Sequence, residues 1–213
     1  MTSAERPDDE LANVITHGAA FVLSIPAAVY LLWLVADRSP AIRAACDIYA
    51  ATLLLTFGSS TLSHVFHDIE RRKRFRTLDQ ASIFLLMAGT YTPFGVALLD
   101  HGWWQLLHVV MWLCAAAGVA RCLQVRDLSG PDKSAFGVMG CLPVAGFGEM
   151  ARQAPPGLLP WLFLGGACFG VGAIFLALSA RVRYAHAIWH LLVIAGCASQ
   201  YRAILLAVGP ASQ

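Results

Sequence analysis

Seven apolar stretches dominate this chain, and each is long enough, or nearly so, to cross a bilayer. They run from His17 to Val35, Ala44 to Phe66, Leu78 to Leu99, Trp103 to Leu123, Ser134 to Met150, Leu158 to Leu178, and Ala185 to Val208. About 30 Å of hydrocarbon takes roughly 20 helical residues, so runs of this length with so little charge read as membrane-crossing helices. With 58% hydrophobic and 13% charged residues among 213, and a mean hydropathy of +0.63, the composition lies far from that of ordinary soluble domains. The fold class is therefore an all-α integral membrane protein, a seven-transmembrane-helix bundle. Residues 1–16 read as a cytoplasmic N-terminal segment, 17–208 as the transmembrane domain, and 209–213 as a C-terminal tail. The fifth stretch is short and carries Gly137, Gly140, Pro143, Gly146 and Gly148. In lipid it must be a packed helix or be covered by its neighbours.

Orientation follows from the basic residues in the connections. One side holds Arg6, Arg71, Arg72, Lys73, Arg74, Arg76, Arg121, Arg126, Lys133, Arg181 and Arg183; the other holds only Arg38, Arg43 and Arg152. Arg202 falls inside the last stretch near its outer end. The N-terminus is thus predicted to be cytoplasmic and the C-terminus outside, in a multi-pass protein of the cell's inner membrane. The alternation also supports the fifth crossing, because without it Arg181 and Arg183 would face outward. Trp33, Trp103, Trp104 and Trp161 fall near outer helix ends, as an interfacial aromatic belt would. The acidic start lacks the basic, then apolar, pattern of a secretory signal, and no cleavage is expected. A net charge of +2 is too small to imply nucleic acid. The six cysteines form no CxxC pair and read as small packing residues. Gly165, Gly166, Gly170 and Gly172 read as a close helix contact.

Polar residues converge on the basic side. His186 and His190, four apart, share one helix face about a turn apart, so both imidazoles can reach one ion. Counting 1.5 Å per residue from Arg71 and Arg183, His64 and His190 lie roughly 10 Å deep; His186 and Asp79 lie roughly 5 Å in from Arg183 and Arg76. Three histidines and a carboxylate therefore share one shallow layer, with Ser60 a turn deeper on the face of His64. Polar groups this far into a span usually face the interior, where they bind, pair or transfer protons. A three-histidine set completed by water or carboxylate suits Zn²⁺, whereas carboxylates alone would point to Mg²⁺ or Ca²⁺. Ala187 follows His186 where a zincin places its glutamate base, so any acid/base partner comes from another helix. Asp79 is best placed for that role, and a helix-start carboxylate favoured by the macrodipole is its rival reading. His67 could reach the same site, but interfacial exposure suits it better. Glu10, Asn13, Thr16 and His17, at helical spacing before the first stretch, either line the mouth of the site or cap the first helix. His101 and His108 belong to the other side.

Four motifs in order carry a family resemblance. Glu10-x-x-Asn13-x-x-Thr16-His17, Ser60-x-x-x-His64, Leu78-Asp79-Gln80 with Ala88-Gly89-Thr90-Tyr91-Thr92-Pro93-Phe94, and His186-x-x-x-His190 resemble the bacterial hemolysin III family. That family is similar to the progestin and adipoQ receptors and, more distantly, to the alkaline ceramidases. The resemblance implies a seven-helix bundle with zinc near the cytoplasmic face, held by His64, His186 and His190. It places Asp79 and Ser60 close to the water bound there, and implies a lipid-facing or lipid-accepting cavity and, in the related receptors and ceramidases, amide hydrolysis of ceramide. Gln80 departs from the histidine found in many relatives, a change that touches no ligand.

Two functions follow as expectations. The first is a zinc-dependent hydrolase of a membrane lipid, a fatty-acyl amide or ester, with Asp79 moving the proton. The second is a non-enzymatic membrane-homeostasis, sensing or cytolytic protein in which zinc is structural. A pore-forming toxin usually has a secreted soluble form and an amphipathic switch segment, and this sequence shows neither.

Overall fold

The computed structural model describes residues 7–66, 68–125 and 133–209. Among these residues the chain has helices joined by short connections and no strand: α1 (Pro7–Leu34), α2 (Pro40–Val65), α3 (Ile69–Leu98), α4 (Trp104–Val125), α5 (Lys133–Cys141), a 3₁₀ segment (Leu142–Gly146), α6 (Phe147–Gln153), α7 (Leu158–Leu178) and α8 (Ala185–Val208). Seven helical stretches are long and apolar enough to cross a membrane. The fifth is the composite of α5, the 3₁₀ segment and α6. Pro143, at the start of the 3₁₀ segment, cannot donate to a helical ladder, and the glycines beside it weaken the helix further.

The helices begin earlier than hydropathy alone predicts. The first starts at Pro7 rather than His17, so most of the expected N-terminal segment belongs to α1. The third starts at Ile69 rather than Leu78, taking in the basic run Arg71–Arg76. Asp68 caps it, its side chain accepting a hydrogen bond from the Arg71 backbone N–H at 3.0 Å. Likewise Ser39 caps α2, with Pro40 in the first turn.

α1, α2, α3 and α8 make the inner bundle. α2 packs on α1 and α3, and α8 packs on the same two helices, so the four surround a common interior. Small hydroxylated residues draw α2 and α3 together: Thr56 Oγ1 donates to the Ser82 carbonyl at 3.1 Å, and the Ser59 and Ser82 hydroxyls meet at 3.1 Å. In lipid such bonds and close backbone approach replace the hydrophobic effect as the force holding helices together. Tyr201 donates to the Ala27 carbonyl at 2.8 Å, tying α8 to α1. The remaining helices flank this group, α4 on α3 and α7 on α8. Of the four glycines of α7, Gly165 and Gly172 close on α8, where an added Cβ would sit 2.6 Å from Gln200 Nε2 and 2.7 Å from Trp189 Cε3. Gly166 and Gly170 face open space.

Large apolar side chains such as Leu23, Val29, Leu113, Phe163 and Ile174 point outward, as a lipid-facing surface requires. Trp33, Trp103, Trp104 and Trp161 all lie near helix ends. Cys46 and Cys197 are buried in the packing.

Candidate metal centre

The inner bundle brings together the three histidines the spacing singled out. His64 lies in the last turn of α2, His186 and His190 in the first two turns of α8. One ring nitrogen from each lies within 4.8 Å of the others, with His64 and His190 buried and His186 partly so. The ring of His64 stands 5.4 Å from that of His186 and 5.2 Å from that of His190, edge to face. Tetrahedral zinc with bonds of about 2.0–2.1 Å wants donors roughly 3.4 Å apart, a closure that side-chain rotation can supply. His64 Nε2 is buried with no hydrogen-bond partner among the described residues. Such an atom calls for an ion or water to complete it, so the donor set fits a metal. Three neutral imidazoles suit zinc and several other divalent transition metals.

Asp79 stands outside this set of three. Its helix-start reading does not hold, because α3 begins at Ile69 and Asp79 lies well inside it. The carboxylate belongs instead to a hydroxyl cradle on α2. Ser63 Oγ lies 3.4 Å from Asp79 Oδ2 and 2.8 Å from the Ser60 carbonyl, and the Ser60 side chain approaches the same carboxylate. Asp79 and Ser60 are thus neighbours across the α2–α3 contact, with Ser60 one turn from His64 on α2.

The first helix supplies residues that spacing alone left unassigned. Glu10 Oε2 lies 2.8 Å from His64 Nδ1. Its other oxygen accepts from Arg72 at 2.8 Å, with Arg76 4.0 Å away. Thr16 Oγ1 lies 3.4 Å from His190 Nδ1, and His17 stacks on His190 with ring centroids 3.7 Å apart. Asn13 and His17 are buried, and Asn13 Oδ1 and both ring nitrogens of His17 have no hydrogen-bond partner among the described residues. Their helical spacing was the available signal; what it lacked was the early start of α1, which turns this face toward α2 and α8.

Other sequence candidates lie elsewhere. Asp68 serves as the α3 cap, and His67 falls outside the described residues. His101 pairs with Glu149 at 3.2 Å on the opposite end of the bundle, and His108 lies beside Gly95 and Asp100 there. The clefts lined by His108 and Asp100, and by Phe84, Cys114 and Arg121, do not reach the three histidines.

Comparison with known proteins gives a consistent result. A sequence profile described as "Haemolysin-III related" matches residues 6–201. Hemolysin-3 of Bacillus cereus is 33% identical over 204 residues, covering 95% of this chain and 93% of that protein. The Hemolysin-3 homolog of Bacillus subtilis (strain 168) is 32% identical over 199 residues, covering 92% and 93%.

Proposed function

The chain belongs to the haemolysin III family, and from that premise we propose that it is a zinc-dependent hydrolase of a membrane lipid amide or ester. In this reading His64, His186 and His190 hold the zinc near the cytoplasmic face of the cell's inner membrane. The observation that carries it is the convergence of three imidazole donors from two helices, one with a buried ring nitrogen that has no hydrogen-bond partner among the described residues. A zinc ion there would lower the pKa of water to near neutrality and polarise a carbonyl. Asp79 is the acid/base group: its carboxylate, set beside the Ser60 and Ser63 side chains, would take up a proton and return it to the leaving group. Ser60 and Ser63 keep the carboxylate turned toward α2. The substrate class, a fatty-acyl lipid of the ceramide type or another, rests on the likeness to alkaline ceramidases and on the outward apolar faces from which a lipid would arrive.

A second reading has its own observation. The three ligands come only from α2 and α8, two helices that touch mainly through α1 and α3 rather than directly. A metal there would staple the inner bundle, a structural role suited to a non-enzymatic homeostasis, sensing or cytolytic protein; the names of the Bacillus relatives favour the last.

Turnover separates the two. Purified, zinc-loaded protein should release fatty acid from a panel of ceramides and phospholipids, and Asp79→Asn should lower the rate roughly 10²–10⁴-fold while keeping its metal. Full metal occupancy with no release from any lipid would favour the staple. The charge asymmetry of the connections supports a cytoplasmic N-terminus. A C-terminal reporter active only outside the cytoplasm should therefore be active, and a silent, stably expressed fusion would argue against this orientation.

A further inference from the structure

We infer that α1 fixes which nitrogen two of the metal ligands present: Glu10 holds His64, and Thr16 holds His190, as the tautomer with hydrogen on Nδ1, leaving both Nε2 atoms for the ion. The inference rests on the reading of the three histidines as a metal site and adds the groups that orient them. A neutral imidazole has one donor and one acceptor nitrogen, and the hydrogen bond made by one decides the role of the other.

At His64 the assignment follows from the partners. Glu10 Oε2 is 2.8 Å from Nδ1, and Arg72 donates to Oε1 at 2.8 Å, so the carboxylate acts as an acceptor on both sides. Nδ1 must then carry the hydrogen. Nε2 becomes the lone-pair nitrogen, and it is the atom that is buried with no hydrogen-bond partner among the described residues. At His190 the same result comes by elimination. The Thr16 hydroxyl hydrogen is committed to its own helix, toward the Ala12 carbonyl at 2.9 Å and that of Asn13 at 3.0 Å. With its hydrogen so placed, Thr16 Oγ1 faces His190 Nδ1, at 3.4 Å, as an acceptor, and the Asn13 backbone carbonyl is a second acceptor for the same ring. The bond to Thr16 is long and weaker than the one at His64. The face of His17, stacked at 3.7 Å, restricts the same ring further.

Ligand histidines that donate their second N–H to a carboxylate are better oriented and more basic, and losing such a partner typically costs 10–100-fold in metal affinity. The two contacts come from one helix, six residues apart, and reach ligands on two different helices. The arginines that steady Glu10 belong to α3, so the first three helices and the last meet in a single arrangement. α1 is thus a positioning element for the metal, although it supplies no ligand.

The test uses the full-length protein in detergent, with zinc affinity measured against a competing chelator. Glu10→Gln and Glu10→Ala should weaken zinc binding roughly 10–100-fold. Thr16→Val should weaken it less, and Thr16→Ser, which restores the hydroxyl, should recover it. Spectra of the zinc-loaded protein with ¹⁵N-labelled histidine should show His64 and His190 coordinated through Nε2 and protonated at Nδ1. That signature does not follow from a merely structural contact. Native zinc affinity in both Glu10 variants, or coordination through Nδ1 at either histidine, would overturn the inference while leaving the metal site standing. A native protein whose zinc affinity matches that of His64→Ala would sink the metal site itself, and this inference with it.

Discussion

The two ends of the bundle carry the same trio of residue types and use it differently. At one end Glu10 lies between His64 and Arg72; at the other Glu149 lies between His101 and Arg152. The first trio spans α1, α2 and α3, with His64 only 4% exposed and Arg72 24%. In the second, Glu149 and Arg152 sit on one turn of α6, and His101 and Arg152 are 51% and 70% exposed. The two carboxylates are covered alike, Glu10 at 16% exposed and Glu149 at 12%, but water and salt reach the His101 and Arg152 partners of the second trio, and pairs with such exposed partners contribute little. In the first, water is largely displaced, so each hydrogen bond holds its partner more firmly and an unpaired atom is costly. His64 also has two further imidazoles beside it, and His101 has none among the described residues. Residue type therefore does not make the site. Burial and the number of helices that converge do.

The strongest way to break this comparison is to remove a histidine from each end. The native protein should contain about one zinc per chain by elemental analysis, and His64→Ala or His186→Ala should contain almost none, since two imidazoles and water do not make a tight zinc site. His101→Ala should keep the native content. Full zinc in either of the first two variants would remove His64 or His186 from the ligand set. Loss of zinc in His101→Ala would show that the ends are not independent.

The sequence made some of this legible and hid the rest for physical reasons. Apolar length is a property of composition, so seven crossings could be counted, and Pro143 with its glycines marked the broken fifth one. Hydropathy ends where lipid ends, not where the helix ends. Arg71–Arg76 and Glu10 are charged yet helical, because a helix projecting past the bilayer needs only good helix formers and partners for its charges, and Glu10 has Arg72. Helical rise gives depth, and depth alone grouped His64, His186, His190 and Asp79. Rise says little about rotation around the helix axis, which packing decides. For that reason the cluster of three leaves Asp79 aside, and spacing left open whether Glu10 and His17 line the site, toward which they turn, or cap the first helix. The same limit applies to α7, where four glycines look alike in sequence and only Gly165 and Gly172 close on α8.

The smallest expected effect lies at the exposed end. Arg152 reaches Glu149 through both its Nε and a terminal nitrogen, a contact that by geometry alone looks at least as strong as that between Arg72 and Glu10. If geometry decided strength, Arg152→Ala would lower the unfolding midpoint markedly. The exposure of Arg152 argues otherwise, because the guanidinium that leaves Glu149 finds water at once, and Glu149 keeps Gln153 and His101 as partners. Arg152→Ala should therefore leave the thermal unfolding midpoint and the zinc content unchanged, at low and at high salt. A fall of several degrees that high salt abolishes would show that this trio holds the end of the broken fifth crossing, and that exposure is a poor guide to which of the two ends matters.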